Sequence, residues 1–401
     1  MGEEDSGLTR DDVAERAGVG TDEIDELIGF GMLVPDADGR LAAMNAKRAS
    51  VLHSMREAGL PMEGLVGAFR TGALTLGFLD QAAYRRFASY SDETFEAASA
   101  RTGVPIDLLL AVRETIGSAP PQPSDRLRDD ELPIIAWLAL QHANGFRPAA
   151  TASLLRAMGD SLRRIAESEA EWWRSEVIGP GMEAGGPIEE AGSPAFADAV
   201  VDAGELAMLS MFRALQMRTW TVNIVMGAEV TLQRAGVLEK RERDPAIVFL
   251  DITGYTQLTQ ERGDAAAADL AARLGQLVQR TSIAHGGRPV KYLGDGVMFV
   301  FPEAGPAVVA ALEMVEGVAA AGLPPAHVGI ASGPVIFQEG DYYGQTVNLA
   351  ARISDFARPG EVLVSGAVVE AAGESAAFDE VGPVELKGVS GPTALFSARR
   401  S

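Results

Sequence analysis

Ile247-Val248-Phe249-Leu250-Asp251-Ile252-Thr253-Gly254-Tyr255-Thr256 is an apolar run that ends on a carboxylate and passes into a glycine-containing turn. β-branched and aromatic residues packed into so short a run predict a buried strand. The segment from about Ala265 to Ala284 has helical texture. Further on, Val290-Lys291-Tyr292-Leu293 and Val297-Met298-Phe299-Val300-Phe301 read as two strands joined through Leu293-Gly294-Asp295-Gly296. A helix near Ala304 to Ala321 follows, then strands at His327-Val328-Gly329-Ile330-Ala331 and Val335-Ile336-Phe337-Gln338. A helix near Val347 to Phe356 and a strand at Glu361-Val362-Leu363-Val364 come last. Helices and strands interleaved around a hairpin predict an α/β sandwich with helices on one face or both.

Upstream of Arg243-Asp244-Pro245 the texture changes. Leu, Ala, Met, Arg and Glu dominate, and apolar residues recur every three to four positions, as in Leu154, Leu155, Met158, Leu162 and Ile165. Proline and glycine clusters at Ser118–Ser124 and Gly179–Pro194 interrupt that periodicity. The expected organisation is an α+β chain: a helical, winged-helix-like segment over 1–117, a helical regulatory or linker domain over 126–243, and the α/β sandwich over 244–401. No internal repeat of fixed period is present.

The 401 residues carry 34 Lys+Arg against 56 Asp+Glu, a formal net charge of −22. Such a field repels nucleic acid and anionic membranes unless a local basic patch overrides it. At 47% hydrophobic and 22% charged the composition is that of a globular protein, which excludes disorder as the main state. Cysteine is absent, removing disulfides, zinc–cysteine sites, iron–sulfur clusters and thiol catalysis together. The acidic start Met1-Gly2-Glu3-Glu4-Asp5-Ser6 is unlike a signal peptide, and no uncharged apolar run reaches about 18 residues. The expectation is a cytoplasmic protein with no transmembrane segment and no nucleic-acid partner.

Two aspartates punctuate the apolar strands, Asp251 at the end of the first and Asp295 in the hairpin turn. Carboxylates at the ends of rigid strands suit a hard cation, with loop carbonyls as further ligands; each alone reads equally as a turn former. The turn Thr253-Gly254-Tyr255-Thr256 offers free N–H groups to phosphate oxygens. Lys291 taken alone is a solvated strand residue. Asn348 and Arg352 lie four apart, on one helix face, where Arg352 is either exposed or functional.

Jointly these segments resemble the class III nucleotidyl cyclase family over residues 245–400. Phe249–Thr256 is similar to its first metal-binding strand and phosphate turn, and Lys291-Tyr292-Leu293-Gly294-Asp295 to its hairpin. Asp341-Tyr342-Tyr343-Gly344-Gln345-Thr346-Val347-Asn348 through Arg352 is similar to its third signature, and Glu385-Leu386-Lys387-Gly388 with Pro392 to its closing strand. The resemblance implies a ferredoxin-like sandwich making cyclic AMP and pyrophosphate from ATP. Asp251, Asp295 and the Ile252 carbonyl would hold two Mg²⁺ or Mn²⁺. Lys291 and Asp341 would read the adenine edge, and Asp341 would repel the guanine oxygen. Asn348 would orient the ribose, Arg352 would stabilise transition-state charge, and Lys387 would contact phosphate. Metal and nucleotide-reading residues come from different protomers in that family, so a homodimer with composite active sites is implied. The stretch from Asp295 to Asp341 is short for the family, which suggests a reduced dimerisation arm.

Residues 8–70 resemble the winged helix of MerR-type regulators, through Val13–Val19, Gly31-Met32-Leu33-Val34-Pro35, Asp38-Gly39-Arg40 and Arg56–Leu60. Where basic residues would face DNA this chain has Thr21-Asp22-Glu23-Ile24-Asp25-Glu26, which argues for protein contact instead. The run Met208, Met211, Phe212, Leu215, Met217, Trp220, Val222, Ile224, Val225, Met226 reads either as ordinary core or as an adaptable pocket or dimer face. The arrangement is similar to soluble actinobacterial-type cyclases, whose helical half restrains the catalytic domain. That implies autoinhibition, with a fatty acid or a proton as regulator and a final helix over about Leu206 to Leu238 as the link. The alternative is a catalytically silent nucleotide-binding sensor, or a DNA- or protein-binding regulator working through its N-terminal domain.

Overall fold

The structure, a computed structural model, describes residues 7–72, 74, 76–80, 90–180, 194–238, 244–255, 260–261 and 263–401. Met1–Ser6, most of the Gly179–Pro194 segment, Arg243 and Thr256 lie outside the described residues. The chain forms two compact units, Met1–Ala228 and Glu229–Ser401.

In the first unit, helices Arg10–Ala17, Thr21–Gly29, Met44–Glu57 and Met62–Thr71 enclose a core that includes Val13, Ile24, Leu27, Leu33, Leu41 and Leu52. Thr9 and Asp12 form a reciprocal capping box at the first helix, and Gly18 ends it in the left-handed region. Three carboxylates of Thr21–Gly29 are engaged within the unit. Asp25 accepts from Arg10 at 2.7 Å, Glu26 from Arg56 at 3.0 Å, and Glu23 lies 3.1 Å from His53 Nδ1.

A second core joins helices Phe95–Thr102, Ile106–Thr115 and Leu132–Ala143 to the start of Pro148–Trp173, around Phe95, Leu109, Val112, Leu127, Ile135 and Leu138. The expectation of an all-helical half missed a two-stranded ribbon, β1 (Tyr90–Thr94) with β2 (Arg126–Arg128). Its cause is polar. Arg113 and Glu131 form a buried bidentate pair at 2.7 and 2.8 Å. The remaining capacity of that pair is met by β2 backbone, since Arg113 also donates to the Arg126 carbonyl at 2.7 Å and Glu131 accepts from the Arg128 N–H at 2.8 Å. A buried ion pair with its hydrogen bonds satisfied fixes the local chain path more than it adds stability.

Helix Pro148–Trp173 buries Leu155, whereas Leu154, Leu162 and Ile165 are exposed. The next helix runs Pro194–Arg234, starting earlier and stopping sooner than the expected Leu206–Leu238, and the division between the units falls inside it. It gives way to a turn with Gly236 at φ +72. Met211, Phe212, Leu215, Met217 and Trp220 are exposed, so within this chain the methionine-rich run is not core.

The second unit is built on a seven-stranded sheet of order β10-β11-β9-β6-β3-β5-β4. The strands are β3 (Ala246–Ile252), β4 (Arg288–Leu293), β5 (Gly296–Phe301), β6 (Ala326–Ser332), β9 (Val362–Ser365), β10 (Ala377–Val384) and β11 (Thr393–Arg399). β3 is antiparallel to both neighbours, β5 and β6, while β6 and β9 run parallel. Side-chain alternation divides β3 cleanly. Ala246, Val248, Leu250 and Ile252 enter the core beneath helices Asp264–Ala284, Ala304–Gly317 and Gly366–Ala372. Ile247 and Phe249 pack with Val347, Ala350 and Ile353 of helix Gln345–Phe356 on the opposite face. Asp251 continues that second set.

Three expected elements differ in extent or place. Helix Ala304–Gly317 stops short of Ala321, because the chain closes at Gly322, φ +68, with the Leu323 N–H donating to the Val318 carbonyl at 2.9 Å. The strand expected at Val335–Gln338 is β7 (Ile336–Gln338), paired only with β8 (Asp341–Tyr343) through a turn with Glu339 at φ 53 and Gly340 at φ 85. The segment Glu385–Gly388, expected on a closing strand, is the connection between β10 and β11.

Helix Gln345–Phe356 approaches β6 closely at Gly329, where a Cβ would stand 2.1 Å from the Ser354 nitrogen and 2.5 Å from the Ala350 carbonyl oxygen. Backbone on both sides leaves no side chain to yield. Gly329→Ala is expected to cost about 1–3 kcal/mol or more through overpacking, read as a lowered thermal unfolding midpoint of the second unit.

Candidate active site

Asp251 is half-buried at the end of β3, directly opposite Gly296 of β5 and His327 of β6. A Cβ at residue 296 would lie 2.0 Å from Asp251 Oδ1, so only glycine lets the carboxylate sit there. Gly294, at φ +75, turns the hairpin and brings up Asp295, whose carbonyl accepts from the Ile252 N–H at 3.2 Å. The two carboxylates therefore issue from adjacent points on adjacent strands. The Ile252 side chain is in the core, which leaves its main chain as its only polar contribution.

Burial pushes the Asp251 carboxyl above the usual carboxylate range; neighbouring His327 pulls it down, Asp295 and Asp355 push it further up, and the Ser354 hydrogen bond opposes them. Like charges crowded into a half-buried corner form a donor set that a divalent cation relieves. Among the described residues no group of three or more His, Asp or Glu is placed to hold a metal alone. Two carboxylates with main-chain oxygen fit the kind of Mg²⁺ site that substrate phosphates and water complete.

After Asp251 the chain turns at Thr253, whose N–H donates to the Pro325 carbonyl at 2.9 Å and whose hydroxyl lies 3.4 Å from His327 Nδ1. Gly254, φ +77, is exposed. The Tyr255 hydroxyl donates to the Ala267 carbonyl at 3.0 Å, so that side chain is anchored in the core. Thr256 lies outside the described residues.

Lys291 Nζ and Asp341 Oδ2 are paired at 2.5 Å, and Asp341 Oδ1 accepts from the Tyr342 N–H at 2.7 Å. Sequence reasoning missed Arg288. Register slips by one residue between Pro289 and Lys291, so Arg288 lies opposite Val300 and Lys291 opposite Met298, both on the face that carries Asp251. Arg288 covers the Phe337 ring at 5.9 Å and the Tyr342 ring at 5.5 Å, and donates to the Tyr342 hydroxyl at 3.3 Å. The β7–β8 hairpin bearing Asp341 is thus fastened to the strand bearing Lys291. Pro289 in mid-strand was the readable signal, since proline inside a strand marks an edge or a bulge.

Helix Gln345–Phe356 buries Thr346, Val347, Ala350, Ile353 and Ser354, and leaves Asn348 and Arg352 exposed on its other side. Arg352 is paired with Asp355 at 2.6 Å. Lys387 is exposed in the β10–β11 connection. The named residues accordingly fall into three assembled groups, Asp251 with Asp295, Lys291 with Asp341, and Asn348 with Arg352, while Lys387 stands on a turn. Gly296, which the hairpin motif already contained, and His327, Ser354 and Asp355, which had no readable motif of their own, also belong to the carboxylate corner.

Residues 237–397 match the family model of the adenylate and guanylate cyclase catalytic domain, and this segment belongs to that family. The chain is 29% identical to the pH-sensitive adenylate cyclase MT1302 of Mycobacterium tuberculosis (strain CDC 1551 / Oshkosh), over 77% of this chain and 79% of that protein. It is 28% identical to an adenylate cyclase of Streptomyces coelicolor, over 74% of each. Among solved structures, the adenylyl cyclase CyaB from P. aeruginosa matches 41% of this chain and 97% of its own, at 22% identity and a TM-score of 0.36. No helix among the described residues is long and apolar enough to cross a membrane.

The raised Asp251 carboxyl has a consequence for stability. The folded chain holds this proton more tightly than the unfolded chain, so Asp251 lowers metal-free stability as pH rises from the usual carboxylate range through its own raised value. In a chelator, Asp251→Asn is expected to unfold at a higher temperature than wild type near neutral pH. That advantage should shrink as the pH falls into the carboxylate range; thermal unfolding across pH measures both.

Proposed function

We propose that the chain is an adenylate cyclase, converting ATP to 3′,5′-cyclic AMP and pyrophosphate in composite sites of a homodimer. The observation that carries this reading is the juxtaposition of Asp251, at the end of β3, and Asp295, in the β4–β5 turn, in a chain that also assembles a base-reading pair from Lys291 and Asp341. The matching family and the adenylate cyclases among the relatives support it.

Asp251, Asp295 and the Ile252 carbonyl would hold two Mg²⁺ or Mn²⁺. When bound, these ions supply acidification of the ribose 3′-hydroxyl and charge neutralisation of the triphosphate. Lys291 donates to a ring nitrogen of adenine and Asp341 accepts from its 6-amino group; the oxygen of guanine at that place would face a carboxylate. Asn348 orients the ribose so that its 3′-oxygen lies in line with the α-phosphorus. The new bond forms there as the bond to the β-phosphate oxygen breaks, and Arg352 stabilises the charge gathered on the phosphorus oxygens. Main-chain N–H groups of the turn that follows Thr253 receive phosphate oxygens, the Thr253 N–H itself being taken by the Pro325 carbonyl, and Lys387 adds an outlying contact.

The N-terminal half restrains this activity. Helix Pro194–Arg234 ends shortly before β3, the strand that delivers Asp251. Similarity to the pH-sensitive relative extends over 324 residues, well beyond the catalytic segment. A proton or a fatty acid is the proposed regulator.

Product formation from ATP and from GTP with Mn²⁺ tests the reading. Cyclic AMP is expected from ATP with little cyclic GMP from GTP, and Asp295→Ala should reduce the rate by a factor of at least about 10². Residues 241–401 alone should make more product per molecule than the full chain. Equal rates would remove the restraint, and no cyclic AMP from either protein would favour a nucleotide-binding sensor.

A further inference from the structure

Ser354 sits on the inner face of helix Gln345–Phe356, 1% exposed, with no place in the roles assigned above. Its hydroxyl oxygen lies 3.3 Å from the Phe249 carbonyl oxygen and 3.4 Å from Asp251 Oδ2. A hydroxyl has one proton to donate, and an ionised carboxylate is a stronger acceptor than a neutral amide carbonyl. Gly296 closes the side of Oδ1, and Gly329 lets the helix backbone come close enough at Ser354 for the reach.

We propose that Ser354 is a positioning residue that holds the Asp251 carboxylate oriented for a divalent cation. This rests on the cyclase reading above and deepens it. The same helix turns Asn348 and Arg352 outward. One rigid element thus sets the metal-binding carboxylate of one composite site and the ribose- and phosphate-handling groups that the same protomer lends to the other.

Two variants separate donation from packing. Ser354→Ala removes the donor and leaves a small void. Ser354→Cys keeps nearly the same volume with only a weak donor. Two quantities are measured on the full chain. One is the Mn²⁺ concentration that half-maximally raises the unfolding midpoint in the presence of 3′-deoxy-ATP, which lacks the attacking hydroxyl. The other is cyclic AMP formation as a function of Mn²⁺ and of ATP. Both variants are expected to need about tenfold more Mn²⁺ in each measurement, as is usual when a partner of a metal ligand is lost, with the KM for ATP little changed.

Wild-type Mn²⁺ dependence in both variants overturns the proposal. So does wild-type dependence in Ser354→Cys with a loss confined to Ser354→Ala, because packing alone would then explain the effect. Should Ser354→Ala fail to fold, Ser354→Cys decides by the same criterion. Two controls separate the readings: if Asp251→Asn cyclises ATP and responds to Mn²⁺ as wild type does, Asp251 is no metal ligand and the role of Ser354 falls, whereas a wild-type chain that makes no cyclic AMP removes the cyclase reading itself.

Discussion

Strand β3 is hydrogen-bonded on both edges and covered on both faces, and the last side chain it offers on one of those faces is a carboxylate. Much of the second unit follows from accommodating that group. A strand buried on both faces admits no movement at its end, so whatever lies across from Asp251 must make room. Position 296 is glycine for that reason. The helix over this face must come near enough to offer a hydrogen bond without sealing the corner, and Gly329 supplies the approach. Such glycines cost backbone entropy on folding. They sit where a side chain would strike either the carboxylate or the helix beside it.

The chain handles charge in two contrasting ways. Arg113 and Glu131 are buried as a pair, with further hydrogen bonds to β2 backbone, and the result is a locked segment. Asp251 is half-buried beside two further carboxylates, relieved only by His327 and a hydrogen bond from Ser354. A group left this uncompensated lowers stability, and such arrangements cluster where a ligand supplies the missing charge. Lys291 and Asp341 lie between these extremes, paired yet part-exposed, with the hairpin that carries Asp341 clasped by Arg288.

Side-chain period made the order of elements from Ala246 to Val364 readable, because β3, β5 and β6 are short apolar runs that helices separate. The residues of the three assembled groups were also readable, since each stands in a short motif; that Lys291 meets Asp341 across 50 residues followed from the family resemblance and not from local pattern. What escaped was set by partners distant in sequence. The β1–β2 ribbon depends on Arg113 and Glu131, which are 18 residues apart. Ser354 meets Asp251 across 103 residues. The clasp of Arg288 on Tyr342 spans 54 residues and needs a bulge that local propensity does not locate. The exposure of Met211, Phe212 and Trp220 was undetermined for a related reason: a helix apolar on several sides reads alike whether it is covered by its own chain or not.

A nucleotide triphosphate approaching a chain of net charge −22 meets an unfavourable field, so binding must depend on a few local cations. Two of the cationic side chains assigned to the nucleotide are already paired within the protomer, Lys291 with Asp341 and Arg352 with Asp355. Their charge is therefore available only by exchanging partners. Under the adenylate cyclase reading proposed above, the exchange at Lys291 would be selective, because a base would have to satisfy Asp341 as well as the lysine, and a purine presenting an oxygen to that carboxylate would leave both groups worse off than their mutual pair. For Arg352 it is graded. The Asp355 pair is surface-exposed and weak, so on the same reading phosphate oxygens that gather charge in the transition state would outcompete it more readily than ground-state groups.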